Sequence, residues 1–210
     1  MSDDLRDLPL RERKKLRTRR ALSETALRLF TERGYDATTL DDLCDAVEVS
    51  KRTFFRNYRS KEDVALAADS DLWSAYLEYV TAQEMTGPLL EALRAALNTT
   101  LGAMDSDWDR RFLATRELSE TVPALQAHSL GYCQDTTRAL GEAVSGRAGD
   151  RAGDRTDEVR RRLTVEIFVA AWRTASLGWT EQGGRGGRDA LVKLVEEAFA
   201  ELPAALTHPA

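Results

Sequence analysis

The 210-residue chain is long enough for one or two domains with a sizeable core, is 42% hydrophobic, and carries a net charge of -5. No apolar run approaches the ~18 residues of a membrane-spanning helix and the N-terminus is polar, so neither a span nor a secretory peptide is expected, and a cytoplasmic location is. Cys44 and Cys133 lie far apart, and neither they nor His128 and His208 fall in a metal-ligand or nucleophile pattern, so no metal, cofactor or catalytic residue is expected.

In chain order, residues 1–10 are expected to be disordered. The run RERKKLRTRR at 11–20 then carries seven basic residues against one acid. Leu22, Ala26, Leu29 and Phe30 recur behind it at helical spacing, so the run opens a first helix and projects from a folded support. Leu40, Leu43, Cys44 and Val47 fall at i, i+3, i+4 and i+7, which predicts a second helix over 39–46 with Cys44 as a packed thiol. Val47-Glu48-Val49 is long enough only for a turn, and Ser50 is placed to cap a third helix over 51–57. At ~1.5 Å per residue that helix is about 10 Å long, which suits insertion into a groove and not the support of a core. Its cations Lys51, Arg52 and Arg56 can reach phosphates or guanine edges, while at least one of Phe54 and Phe55 must pack beneath it. Ser60 and Asp63 form a capping-box-like pair that starts another helix.

Charge divides the chain. Residues 11–61 hold 14 Lys or Arg against eight Asp or Glu, whereas residues 62–210 hold 15 against 24. The basic part attracts DNA phosphate and the acidic remainder stays off the duplex.

The stretch from Leu22 through Val64 resembles the DNA-binding domain of the tetracycline-repressor (TetR) family of bacterial regulators. The resemblance rests on the apolar-Ala-Phe first helix, Gly34-Tyr35, Thr38-Thr39, Val49-Ser50, Thr53-Phe54-Phe55-Arg56-Asn57-Tyr58 and Ser60-Lys61-Glu62. It implies an all-α protein: a three-helix DNA-binding domain with a helix-turn-helix over 1–60, then a larger helical ligand-binding and dimerisation domain over 61–210. It also implies that Thr39 caps the second helix and touches phosphate, that Lys51, Arg52 and Thr53 face the groove, that Phe55 takes a place usually held by Tyr, and that Tyr58 and Lys61 hold backbone phosphates. Arg17, Arg20, Thr38, Ser50 and Arg56 complete the candidate DNA-binding set. Glu48 departs from the pattern, standing where the family usually has Gly; a left-handed conformation there would cost about 1 kcal/mol.

Beyond Val64 the pattern stays helical, with a long helix to about residue 80, another opened by Thr86 and Pro88, a shorter one over 108–118 and a longer one over 123–144. The tandem RAGD-RAGD at 147–154 is expected to be a mobile connector, since it lacks the Lys-Ser/Thr of a phosphate loop. Two C-terminal helices carry apolar stripes: Leu163, Ile167, Ala170, Ala171, Thr174 and Gly178 on the first, and Leu191, Leu194, Val195, Ala198 and Leu202 on the second. The stripes either close an intrachain core or, as the resemblance implies, pair with their copies in a four-helix homodimer interface, giving two recognition helices on palindromic operator DNA.

A regulator also needs a sensor, and Trp73, Tyr76, Trp108, Phe112, Tyr132, Phe168 and Trp172, with Arg116 for a polar group, could line a cavity for a small, largely apolar effector. Ordinary core packing is the plain alternative for each aromatic. The runner-up function is a helical DNA-binding or partner-binding protein without small-molecule sensing; an enzyme would need convergent acid, base or metal groups, which no spacing here singles out.

Overall fold

The computed structural model describes residues 9–146 and 155–208, and every regular element among them is an α-helix. The expectations for residues 1–8 and for the RAGD tandem lie outside the described residues. Leu10, expected in a disordered tail, instead begins helix α1 (Leu10–Arg33), which ends where Gly34 turns away at φ 89°.

Three short helices follow: α2 (Leu40–Ala46), α3 (Lys51–Phe55) and α4 (Lys61–Ala65). Each is opened by a hydroxyl. Thr39 forms a reciprocal capping box with Asp42, Ser50 Oγ accepts the Thr53 N–H at 3.2 Å, and Ser60 Oγ accepts the Asp63 N–H at 3.1 Å. The Ser60–Asp63 pair is not a full box, because the Asp63 carboxylate accepts the N–H of Arg59 rather than that of Ser60.

The α2–α3 turn closes as a Schellman motif, with Glu48 N–H donating to Asp45 O at 3.1 Å and Val49 N–H to Cys44 O at 2.9 Å. That geometry puts Glu48 at φ 54°, the left-handed region that favours glycine.

The helix expected to leave α4 unbroken is divided at Leu66 (φ -93°, ψ 19°), so that α5 (Ala67–Ala82) is a separate element. Residues 64–69 are all buried, and a one-sided helix cannot bury six consecutive side chains; the break allows it. Then come α6 (Leu89–Ala103), α7 (Trp108–Thr121), α8 (Pro123–Ser145), α9 (Arg155–Glu181), α10 (Gly187–Ala200) and the short α11 (Leu202–Ala205).

The chain forms two compact units, Met1–Asp71 with Asp105–Leu130, and Leu72–Met104 with Gly131–Ala210. The first unit thus runs past residue 60 and recruits α7 and the start of α8. The cause is packing and hydrogen bonding: Leu118 and Leu125 join the core of Leu22, Phe30, Leu43, Phe54 and Val64. Trp108 Nε1 donates to Ala68 O at 2.9 Å, and Thr115 Oγ1 donates to Ala65 O at 3.0 Å.

In the second unit, Leu93, Leu97 and Leu101 of α6 are buried, as are Phe168, Trp172 and Trp179 of α9 and Leu191, Val195 and Phe199 of α10. Arg188 donates to the carbonyls of Leu101 (3.1 Å) and Met104 (2.6 Å) where α6 ends. Replacing Glu48 by Gly should relieve the left-handed strain and stabilise the fold by about 1 kcal/mol, read as a raised denaturant midpoint with unchanged slope; a lowered midpoint would show that the glutamate is not strained.

Candidate nucleic-acid interface

Helix α3 divides cleanly into a buried and an open side. Phe54 is fully buried beneath it, edge-on to Phe55 at 5.4 Å, whereas Phe55 itself is 53% exposed. Lys51, Arg52 and Arg56 are exposed and Thr53 is half-buried. Among the described residues, no hydrogen bond or ion pair ties down Arg52 or Arg56. Lys51 pairs with Asp41 at 2.8 Å, and the hydrogen bond to that carboxylate raises its pKa. The hydroxyls of Ser50 and exposed Thr39 are engaged in helix caps.

Other candidates turn inward. Thr38 is buried, its hydroxyl donating to Gly34 O at 2.9 Å. Tyr58 is buried too, donating to Arg19 O at 3.0 Å, and burial raises its pKa. The Lys61 ammonium donates to the carbonyls of Tyr35 (2.8 Å) and Thr38 (3.1 Å) and lies 3.9 Å from the centre of the Tyr35 ring. Tyr58 and Lys61, expected at phosphates, and Thr38, expected in the DNA-binding set, therefore direct their polar atoms into the protein.

Arg17 is exposed, but Arg20 is held by Glu24, Asp105 and Asp107. Burial opposes ionisation of Asp107, yet hydrogen bonds from Asp105 and Arg20, with the charges of Arg111 and Arg20, outweigh it and hold that carboxyl down at about 2. Burial, and then the hydrogen bond shared with Asp107, push Asp105 the other way.

Arg19, outside the candidate DNA-binding set, sits in the basic run between Thr18 and Arg20 and gives no local signal of its own. Its guanidinium donates to Asn57 O just past α3 at 2.8 Å, pairs with Asp71 at 3.4 Å and stacks 4.5 Å from the Tyr58 ring centre. Asp71 is also held at 2.8 Å by Arg111, whose side chain is 3% exposed.

The sensor candidates divide between the units. Trp108, Phe112 and Arg116 belong to the first, where Arg116 pairs with buried Asp69 at 2.6 Å and lies over Phe112. Burial raises the Asp69 pKa against the pull of Arg116. Trp73, Tyr76, Tyr132, Phe168 and Trp172 belong to the second. There Trp73 meets Tyr76, Phe168 and Trp172 edge-on, Tyr76 stacks on Phe168 at 5.4 Å, and Tyr76 donates to Leu93 O at 3.1 Å. Of the stripe residues, Ala171, Leu191 and Val195 are core; Ile167, Ala170, Gly178, Leu194, Ala198 and Leu202 are half-buried, and Leu163 and Thr174 are exposed.

Residues 22–68 match the model for bacterial regulatory proteins of the tetR family, and residues 87–207 match the model of the MftR C-terminal domain. The HTH-type transcriptional regulator TcmR of Streptomyces glaucescens is 34% identical over 175 residues, covering 81% of this chain and 76% of TcmR. This chain belongs to the TetR family. It is a DNA-binding transcriptional regulator and not an enzyme. MftR of Mycobacterium tuberculosis, a candidate regulator of mycofactocin biosynthesis, is 27% identical over 176 residues, covering 82% of this chain and 88% of that protein. IcaR of Staphylococcus epidermidis, a negative regulator of a biofilm operon, is 22% identical over 117 residues, covering 56% and 62%.

In this TetR-family head, Arg19 joins the end of α3 to Asp71 and is a positioning residue. Arg19→Ala should weaken DNA binding on the order of tenfold, the scale of one charge-assisted hydrogen bond, without changing the salt dependence. A slope of log K against log salt that falls by about 0.9 would instead make Arg19 a phosphate contact.

Proposed function

We propose that the chain is a ligand-responsive repressor that binds palindromic operator DNA as a homodimer in the cytoplasm and is released by a small, largely apolar effector. The observation that carries the DNA-binding part is α3 itself: Arg52 and Arg56 are exposed on a helix whose other side is anchored by Phe54. In this reading Lys51, Arg52 and Thr53 face the major groove, Phe55 and Thr39 lie against the backbone, and Arg56 reaches phosphate.

Homodimerisation is supported by the outer row of α9, where Val159, Leu163 and Leu177 are 50–55% exposed and Ala170 and Gly178 leave room for a close helix. The half-buried Leu194 and Ala198 of α10 supply the second helix, so that two copies make a four-helix contact. The two heads then sit about 34 Å apart, or a multiple of that distance. The aromatic cluster of Trp73, Tyr76, Phe168 and Trp172 supports an apolar effector, and the sign of regulation follows the negative regulator among the relatives.

Helix α5 runs from Ala67, close in sequence to the head, through Trp73 and Tyr76, so repacking of those rings is transmitted along the chain to α4 and α3. Only an effector that favours a mismatched spacing of the two heads lowers DNA affinity, and the coupling is reciprocal.

Leu163→Glu would place a carboxylate in the helix contact at a cost of several kcal/mol and should yield monomers at micromolar concentration in sedimentation, with operator affinity reduced to that of a half-site. An unchanged dimer mass would move the interface elsewhere. Titrating a ligand that co-purifies with the protein, identified by mass spectrometry, against free and operator-bound protein should show a weakening of about five- to 150-fold on DNA. Equal affinity in the two states would leave the body with no derepression role.

A further inference from the structure

A cleft of about 670 Å³ opens in the first unit between the N-terminal part of α1 and α3. Arg11, Lys14, Lys15 and Thr18 line one wall, spaced i, i+3, i+4 and i+7, so they share one face of α1; Thr53 and Arg56 line the other. Arg13 and Arg17 are equally basic and exposed but do not line it. Glu12 is the acid among the lining residues. The whole cationic wall precedes Leu22, where the match to the family's DNA-binding model begins.

We propose that this cleft is a DNA-backbone site, in which α1 and α3 hold between them the sugar–phosphate strand bordering the groove that α3 enters. The proposal rests on the reading of α3 as the groove-facing helix. Four cations and two hydroxyls converge on one concave surface, which fits a polyanion. Thr53 and Arg56 belong both to the cleft and to the recognition unit, so its occupant must run alongside whatever α3 reads, and the strand flanking that groove does so. The length also suits it: Arg11 to Lys15 spans about 6 Å at ~1.5 Å per residue, enough to face more than one phosphate where one strand carries a charge every ~3.4 Å of duplex axis. Such contacts carry no base information, so the cleft adds affinity and fixes the approach of α3 while leaving sequence preference to Arg52 and its neighbours.

The test compares Lys14→Gln/Lys15→Gln with Arg13→Gln/Arg28→Gln, two doubles of equal charge change of which the second lies outside the cleft lining. All four side chains are exposed, and far-UV circular dichroism checks that the helix persists. The probes are a fluorescent duplex enriched by the wild-type protein from a random-sequence pool, and a scrambled duplex of the same length. The 14/15 double should lose affinity for both duplexes by the same factor, its slope of log K against log salt should fall by about 1.8 (~0.9 per phosphate), and hydroxyl-radical protection should retract on the flank of the site. The 13/28 double should keep slope and footprint. A wild-type slope in the 14/15 double, or equal losses in both doubles, overturns the cleft. Failure of the wild-type protein to enrich any duplex would overturn the operator-binding reading beneath it.

Discussion

A helix of five residues has no stability of its own, because nucleation alone costs more than so few hydrogen bonds return. Lys51–Phe55 must therefore be held from outside, and most of the first unit is arranged to do so. Ser50 secures its start, Phe54 anchors its underside, and Arg19 fastens the carbonyl of Asn57 just beyond its end. Tyr58 closes the arrangement by donating back to the Arg19 carbonyl beneath the guanidinium. Side chains that grip the helix in this way have their polar atoms engaged within the protein, whereas Arg52 and Arg56 are exposed.

The same division governs the basic charge of α1. Arg19 and Arg20 are consumed by carboxylates of the unit's own fold, Asp71 for one and Asp105 with Asp107 for the other, and buried Arg111 joins the two groups by pairing with Asp71 and Asp105. Exposed cations lie earlier in the helix, and Arg11, Lys14 and Lys15 among them share the face that lines the cleft beside α3. A count of cations over 11–20 gives the attraction to phosphate; which cations exert it depends on the acids that the fold brings near them.

The second unit carries two kinds of apolar surface. Its aromatic rings satisfy one another, with Tyr76 hydrogen-bonded to Leu93 O and stacked on Phe168, so that an effector would enter by repacking them. Leu163 and Leu177, by contrast, lie open along α9, and burial of such a row against a second copy would remove apolar area from water.

The helical class, the start and turn of the recognition helix, the burial of Cys44 and of one of the two phenylalanines at 54 and 55, and the odd glutamate at position 48 are legible in the chain. These follow from 3.6-residue periodicity, capping chemistry and backbone sterics, all of which act within a few residues. The inward turn of Thr38, Tyr58 and Lys61, the hold of Arg19 on the end of α3, and the place of α7 and the start of α8 in the first unit come from packing across the fold. Apart from Thr38, whose hydroxyl donates to Gly34 O four residues away, these depend on partners distant in sequence, 23 to 50 residues in Lys61 with Thr38 O, Arg19 with Asn57 O and Thr115 with Ala65 O. Hydrogen bonds and ion pairs that span such separations leave no periodic trace in the chain. Polar side chains in a basic head look alike until the fold has chosen which of them it needs for itself.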